Sequence, residues 1–507
     1  MTDESVHAAL RSEAALVVVE APGGCGKTFQ GSDYAKDIAA AIKPGRLLIL
    51  THTHAACSIF DKKTKGIGSN IEIRTIDSLI AQIASAYHRG LALPADASVW
   101  ARQAGDDGYG LLGVKVAALL KRYPSIAAAL AQRYPLIVCD EHQDCSGEQH
   151  AVIAAIQAGG ARLRVFADPM QKIFKDKSFV GGCLPCDWNV LKEEADTFEE
   201  LDVPHRWKNT DPDLGKWILG AREALKAGGK VDLVNRPTSV VVIRVDNIAK
   251  KYGDVLLSTA HRKPIDAFIG ATNSLLVVAH HTRTASALRA LFYRQIPLWE
   301  GHTRKGLEKL IGVLKEPQTT TVLAAAVVTF MDEVAVGFSP SAFGDQFQAE
   351  VAGGCTTKRK ADTKPAKIQA LAKLIVDEPD FRGVAKVLRT IGDLRASDSV
   401  FNDIKIDHSK EFWEAARLAE YSTAEEGFNA LTHKRTYSRP SPPPKAISTI
   451  HKAKGLECDC VVLMACDDKQ FPDTPEARCL LYVGLSRAMN RLMIVVPNSN
   501  PSPLLQL

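Results

Sequence analysis

Eight residues near the N-terminus, Ala21-Pro22-Gly23-Gly24-Cys25-Gly26-Lys27-Thr28, have the types and spacing to hold a nucleoside triphosphate. Small residues let successive backbone amides, those of Gly23, Gly24, Cys25 and Gly26, converge on one anion. A helix starting directly afterwards would add its partial positive charge. Lys27 would reach the β- and γ-phosphates, and the Thr28 hydroxyl would ligate Mg2+. Alanine stands at position 21 where the usual pattern has glycine. A second stretch supplies what such a loop needs: Leu136 to Asp144 reads LIVCDEHQD, an apolar run that ends in paired acids. Asp140 would hold the metal, and Glu141 would polarise an attacking water as general base. Taken alone, the glycines could form an ordinary turn and the acids a solvated strand end. Found together, each directly after an apolar run, they point to nucleotide chemistry.

The elements that must position these groups follow from pattern. Ala15 to Glu20 (ALVVVE) reads as a strand entering the loop, and Phe29 to Ile42 as the helix leaving it. Further strand-like runs are Leu47 to Thr51, Ile71 to Thr75, Leu136 to Glu141 and Leu163 to Asp168, with alanine-rich helical stretches between them. Continuous apolar strands between helices predict an α/β fold whose parallel sheet is covered on both faces. Helical sequence from about Leu79 to Tyr134 interrupts it and reads as an inserted helical subdomain. A second strand set follows: Ser239 to Val245, Leu275 to Ala279, Ala446 to Ile450, Cys460 to Ala465 and Arg491 to Val496. It carries its own helical excursion before Ala446. The basic run Thr356 to Lys364 in that excursion reads as a solvated loop. Arg439-Pro440-Ser441-Pro442-Pro443-Pro444, at its end, reads as a stiff linker.

A chain of 507 residues has room for about three or four structural units. Its 46% hydrophobic content is enough for buried cores. The 63 Lys+Arg against 58 Asp+Glu leave a net charge of +5, which neither demands nor excludes nucleic acid, since one groove can still be basic. Eleven cysteines without a disulfide-framework spacing read as reduced thiols. The N-terminus has no basic region joined to an apolar one, and no apolar run reaches membrane-spanning length. The expectation is a cytoplasmic protein with no membrane partner.

More motifs stand in order along the chain: THTHAA at Thr51 to Ala56, TIDSL at Thr75 to Leu79, DEHQD at Asp140 to Asp144 with Gln149 beyond, DPMQKIF at Asp168 to Phe174, HRWKN at His205 to Asn209, TIHKAKGLE at Thr449 to Glu457 and YVGLSRA at Tyr482 to Ala488. Together with the loop at Ala21 they cover most of the chain, which resembles the superfamily 1A helicases of the UvrD/PcrA/Rep type. The resemblance implies two RecA-like P-loop cores, each a parallel sheet with a mainly helical insertion. The first core would take residues 1–80 and 136–195 around an insertion at 81–135. The second would take 196–300 and 445–507 around an insertion at 301–444. It further implies an ATP- and Mg2+-dependent helicase that moves 3′→5′ on single-stranded DNA and acts on duplex DNA. The alternative is a DNA-stimulated regulatory ATPase without processive unwinding.

Residue roles carry over with the motifs. Gln171 would sense the γ-phosphate. Arg206 and Arg487, on the second core, would reach the same phosphate, where a planar permanent cation suits its oxygens. His205 replaces the usual tyrosine beside Arg206. Gly455 and Glu457 would lie near the nucleotide, Glu457 toward the ribose. Thr51, Thr75, Ser78, Thr449 and His451 would line the DNA track, with His52 in the place of an aromatic. Phe174 or Phe179 would stack on bases, or else pack into the core.

Other features depart from the family pattern. No glutamine precedes the loop, so base preference is weakly specified. Cys25 reads as a reachable thiol that would make ATP binding sensitive to oxidation. Cys183-Leu-Pro-Cys186 has metal-ligand spacing but no matching second pair, and reads as a thiol pair. His142 reads as a coupling position between the acids and Gln143, not as a ligand. The pattern DEHQDCSGEQH with DPMQKIF and HRWKNT is similar to the small helicases of Gabija-type anti-phage systems, which work with a nuclease subunit of the OLD family.

Overall fold

The computed structural model describes residues 2–42, 44–66, 70–105, 107–174, 183, 185–246, 249–251, 254–256, 259–299, 304–437 and 442–507. Phe179 and residues Arg439 to Ser441 of the expected linker lie outside the described residues. The chain divides into two compact units: Met1–Leu291 with Ser448–Leu507, and Phe292–Ile447.

The first unit is α/β and holds two sheets. The strands Leu16–Glu20 (β1), Leu47–Thr51 (β2), Ile71–Thr75 (β3), Leu136–Cys139 (β4), Arg162–Ala167 (β5) and Thr197–Glu200 (β6) form one sheet in the order β3-β2-β4-β5-β1-β6. All its paired neighbours run parallel. Its central strands are buried throughout, which is why they read as unbroken apolar runs. The second sheet has, within this unit, the strand order Leu275–Ala279, Cys458–Leu463, Ala488–Pro497, Val240–Val245. These four strands also pair in parallel. Two parallel sheets of this kind are consistent with two RecA-like cores.

The sequence placed the second core's start at 196, but Thr197–Glu200 pairs with β1 along the edge of the first sheet. The pattern missed it because TFEE is a short edge strand that is only half-buried. The helices between β3 and β4 are Ile76–Ala86, Ala97–Gln103, Gly108–Arg122 and Pro124–Arg133, and all four contribute to a core shared with the sheet. Leu79, Leu112 and Val116 share one hydrophobic core with Val18, Leu50 and Val165. Burying each such side chain is worth about 1.5–3 kcal/mol, so this face of the sheet depends on the inserted helices.

The second unit is mainly helical and closes its own core around Leu323, Val327, Met331, Phe347, Leu388 and Phe412. Its basic run is exposed over 356–362, with Arg359 paired to the buried Glu350.

Candidate nucleotide site

Each functional segment of the first core leaves the C-terminal end of a parallel strand, where ligands of open α/β sheets bind. The glycine-rich loop follows β1, the paired acids follow β4, and Asp168 follows β5. The Ala21 amide donates to Ala167 O at 2.8 Å, and the Asp140 amide to Leu50 O at 2.9 Å, which fixes both strand ends.

The loop meets the conditions for an anion. Gly24 and Gly26 have φ of 89° and 86°, a region open to glycine at little cost. A Cβ on Gly24 would lie 2.6 Å from the Trp207 ring. Gly26 caps the helix Lys27–Ala39, its carbonyl accepting the Phe29 and Gln30 amides at 2.9 Å, and Lys27 and Thr28 stand in the first turn, where amides have no partner within the helix. Two amides expected on the anion are engaged within the protein instead: Cys25 donates to Pro22 O at 3.1 Å, and Gly23 to Asp168 and Tyr482. Thr28 is the second residue of this helix. Cys25 corrects the expectation of a reachable thiol. It is fully buried, and burial pushes its thiol up to about 12, far from a reactive thiolate.

Lys27 forms ion pairs with Glu141 and, at 3.8 Å, with Asp140. Burial opposes its charge, but the two carboxylates outweigh that and raise its pKa. Burial raises Asp140. Glu141 is pushed up by burial too, but Lys27 and Lys454 outweigh it and hold the carboxyl below its ordinary range. Glu141 also has φ 56° and ψ 40°, a left-handed conformation that costs a non-glycine residue about 1–3 kcal/mol. Gln143 donates to Glu141 and accepts the Asp168 amide at 3.1 Å.

Asp168 is the hub beneath the loop. Its Oδ2 accepts from the Gly23 amide at 3.2 Å, Gln171 Nε2 at 2.9 Å and the Tyr482 hydroxyl at 3.2 Å. Its Oδ1 accepts from Arg222 Nη2 at 2.8 Å. Arg222 and Lys226 also pair with the buried Glu20 at the end of β1. The sequence reading named Gln171 but overlooked Asp168, Tyr482 and Arg222. Asp168 and Tyr482 stand inside quoted motifs and could have been found there. Arg222, on the helix Pro212–Lys226, gave no local signal.

Groups of the second sheet's segments close over the loop. Lys454 pairs with Asp144 at 2.6 Å and donates to Gln171 O at 2.6 Å. The Arg206 amide donates to Gly24 O at 3.0 Å, while its guanidinium bonds Ser486 O at 2.7 Å and pairs with Glu457. Arg206 therefore stands at the crossing between the sheets, not wholly on the second as expected. Its Nε is buried with no hydrogen-bond partner, an orphaned donor beside the loop. Arg487 is buried and donates to Val483 O at 2.9 Å, Leu456 O at 3.2 Å and Ser486 Oγ at 2.7 Å. Gly455, φ 81°, and Glu457 are exposed on the turn after Ala453.

Apart from Phe174, the DNA candidates stand where a strand passes into a helix or in that helix's first turn. Thr75 and Thr449 are buried and cap the helices that follow them. The Ser78 hydroxyl donates to Thr75 O at 2.8 Å. Thr51 is buried and donates to Thr53 O at 3.1 Å. His52 Nε2 lies 3.6 Å from Cys145 Sγ. Phe174 is half exposed, with His451 at 6.0 Å between ring centroids and Lys454 Nζ 5.3 Å from its ring. His451 continues to His280 at 6.0 Å.

Comparison with known families gives two matches. Residues 101–178 match the UvrD/REP helicase N-terminal domain, and residues 406–499 the UvrD-like helicase C-terminal domain. No curated protein matches the chain. The two matches support a UvrD/Rep-like superfamily 1 helicase, a family that hydrolyses ATP, generally with Mg2+, and binds DNA. No described helix is long and apolar enough to cross a membrane.

Proposed function

We propose that this chain, with the N- and C-terminal domains of a UvrD/Rep-like superfamily 1 helicase, is an ATP-driven motor that moves 3′→5′ on single-stranded DNA and unwinds duplex. One observation carries the reading: Lys27 of the glycine-rich loop faces Glu141 and Asp140, while Arg206, Lys454 and Tyr482 tie the same loop region to the second sheet. Glu141, kept ionised by its lysine neighbours, takes a proton from water as that water attacks the γ-phosphorus and the bond to the β–γ bridging oxygen breaks. The helix start after Gly26 and Lys27 hold the phosphates, and Gly23, Gly24, Cys25 and Gly26 shape the loop around them. Thr28 and Asp140 offer hard oxygen ligands that would hold Mg2+, which neutralises phosphate charge. Gln171 senses the γ-phosphate, and Glu457 with Gly455 faces the sugar side.

Arg206 and Arg487 answer the charge of the γ-phosphate; the orphaned Nε of Arg206 is a donor available for it. Loss of that phosphate removes the attraction and lets the cores relax, stepping a strand held along Thr51, His52, Thr75, Ser78, Phe174, Thr449 and His451. The likeness to Gabija-type helicases extends the reading to anti-phage defence with a nuclease partner, which co-purification with an OLD-family nuclease tests.

ATP hydrolysis with and without single-stranded DNA, on wild type and Glu141→Gln, tests the motor. DNA should stimulate the wild type, and the variant should lose at least about 10²-fold in turnover. No stimulation would sink the motor. Stimulation without strand separation would make the chain a regulatory ATPase.

A further inference from the structure

We propose that His142, His150 and Cys186 form a binding site for a zinc-class metal ion on the first core. Their donor atoms, one from each residue, all lie within 4.8 Å of one another. His142 Nε2 faces His150 Nδ1 at 3.1 Å, with the rings edge-on at 70°. A tetrahedral ion with Zn–N of about 2.0–2.1 Å and Zn–S of about 2.3 Å spaces its donors roughly 3.3–3.6 Å apart, so small side-chain shifts seat it. Two imidazoles and a thiolate are also the donor chemistry that selects zinc over Mg2+ or Ca2+.

The sequence could not show this site. Cys183 and Cys186 have the spacing of half a zinc site, with no matching second pair in the sequence. Folding supplies it from two other segments. His142 opens the turn His142–Asp144 after β4, and His150 stands on the helix Gly147–Ala158. Cys186 directly precedes Asp187, which caps the helix Trp188–Glu193 through its side chain. Rigid elements therefore hold two of the ligands and abut the third.

The surroundings favour coordination. Metal-bound histidines usually donate their other ring N–H to a fixed partner. His142 Nδ1 lies 3.4 Å from Cys145 Sγ, so a proton kept there leaves the Nε2 lone pair for the ion. His142 is buried, while His150 and Cys186 are partly exposed, which leaves a way in from solvent. A water would complete four-coordination. Among the described residues no cysteine is in a disulfide. A bound ion would pin the turn between Glu141 and Gln143, whose mutual contact orients the proposed general base. The metal site itself does not depend on that role.

Elemental analysis of the full-length protein after incubation with one equivalent of zinc, and the visible spectrum of its cobalt(II) form, test the site. The expected result is one zinc per chain, intense tetrahedral cobalt bands with a thiolate charge-transfer band, and at least a ten-fold weaker affinity in both His150→Asn and Cys186→Ser. The wild-type cobalt spectrum stands without the variants, should either fail to fold. Wild-type protein that takes up neither metal stoichiometrically would overturn the site, leaving a hydrogen-bonded imidazole pair. So would folded variants that both keep wild-type affinity.

Discussion

The Tyr482 hydroxyl accepts the Gly23 amide proton at 2.9 Å and donates to Asp168 at 3.2 Å. A side chain from the helix Pro475–Leu485, beside the second sheet, thus touches both the phosphate loop and the acid beneath it. Tyr482→Phe removes both bonds and leaves Gly23 its bond to Asp168. The expected cost is about 0.5–1.5 kcal/mol in urea unfolding, together with a weaker affinity for nucleotide by fluorescence titration. Unchanged affinity would mean that the contact does not shape the loop.

Arg487 donates to two carbonyls and one hydroxyl of its own core from a buried position. Arg487→Ala is expected to cost about 1–3 kcal/mol by leaving those acceptors unmet. It should also lower turnover by roughly 10³-fold while nucleotide affinity persists. Turnover retained in the folded variant would remove the finger role.

Glu20 gives a pH dependence with a definite sign. Burial pushes its pKa up, but Lys226 and Arg222 outweigh burial and hold it below the ordinary value of 4.5. In the window below 4.5 the unfolded chain binds the proton more readily than the folded one. This carboxylate's stabilisation is therefore complete above pH 4.5 and lost as pH falls through the depressed folded value. Glu20→Gln should cost about 3 kcal/mol at neutral pH, because it breaks a buried ion pair, and should flatten that acid limb. Urea midpoints across pH measure both effects.

Phe174 presents an exposed ring next to His451 and Lys454. Phe174→Ala should weaken binding of single-stranded DNA by about 1–3 kcal/mol in fluorescence anisotropy, the value of one base stack. Equal affinity would assign the ring to packing instead.

Much of the fold was legible in the sequence, for local reasons. Buried parallel strands such as LLILT and LIVC have no polar alternation, so their type and place in the chain could be read directly. Thr197–Glu200 could not be read this way, since an edge strand needs only one buried face and TFEE carries little apolar signal. The glycine-rich loop and the paired acids were legible because phosphate chemistry constrains residue type at fixed spacing. Cys25 was misread because its burial depends on packing, not on its place in the loop.

The sequence by itself determined the residues of the loop from Ala21 to Thr28, the acids Asp140 and Glu141, and the apolar strands that lead into them. Short-range backbone geometry and apolar runs leave little freedom there. Only the tertiary structure decided what stands around them. Gly23 and Tyr482 are 459 positions apart, and Lys454 and Asp144 are 310 apart. No local pattern encodes such pairings. Asp168 became a hub, Arg487 was turned onto its own core, and His142 and His150 were brought to Cys186, because packing of whole elements sets the distances between side chains that the chain order keeps far apart.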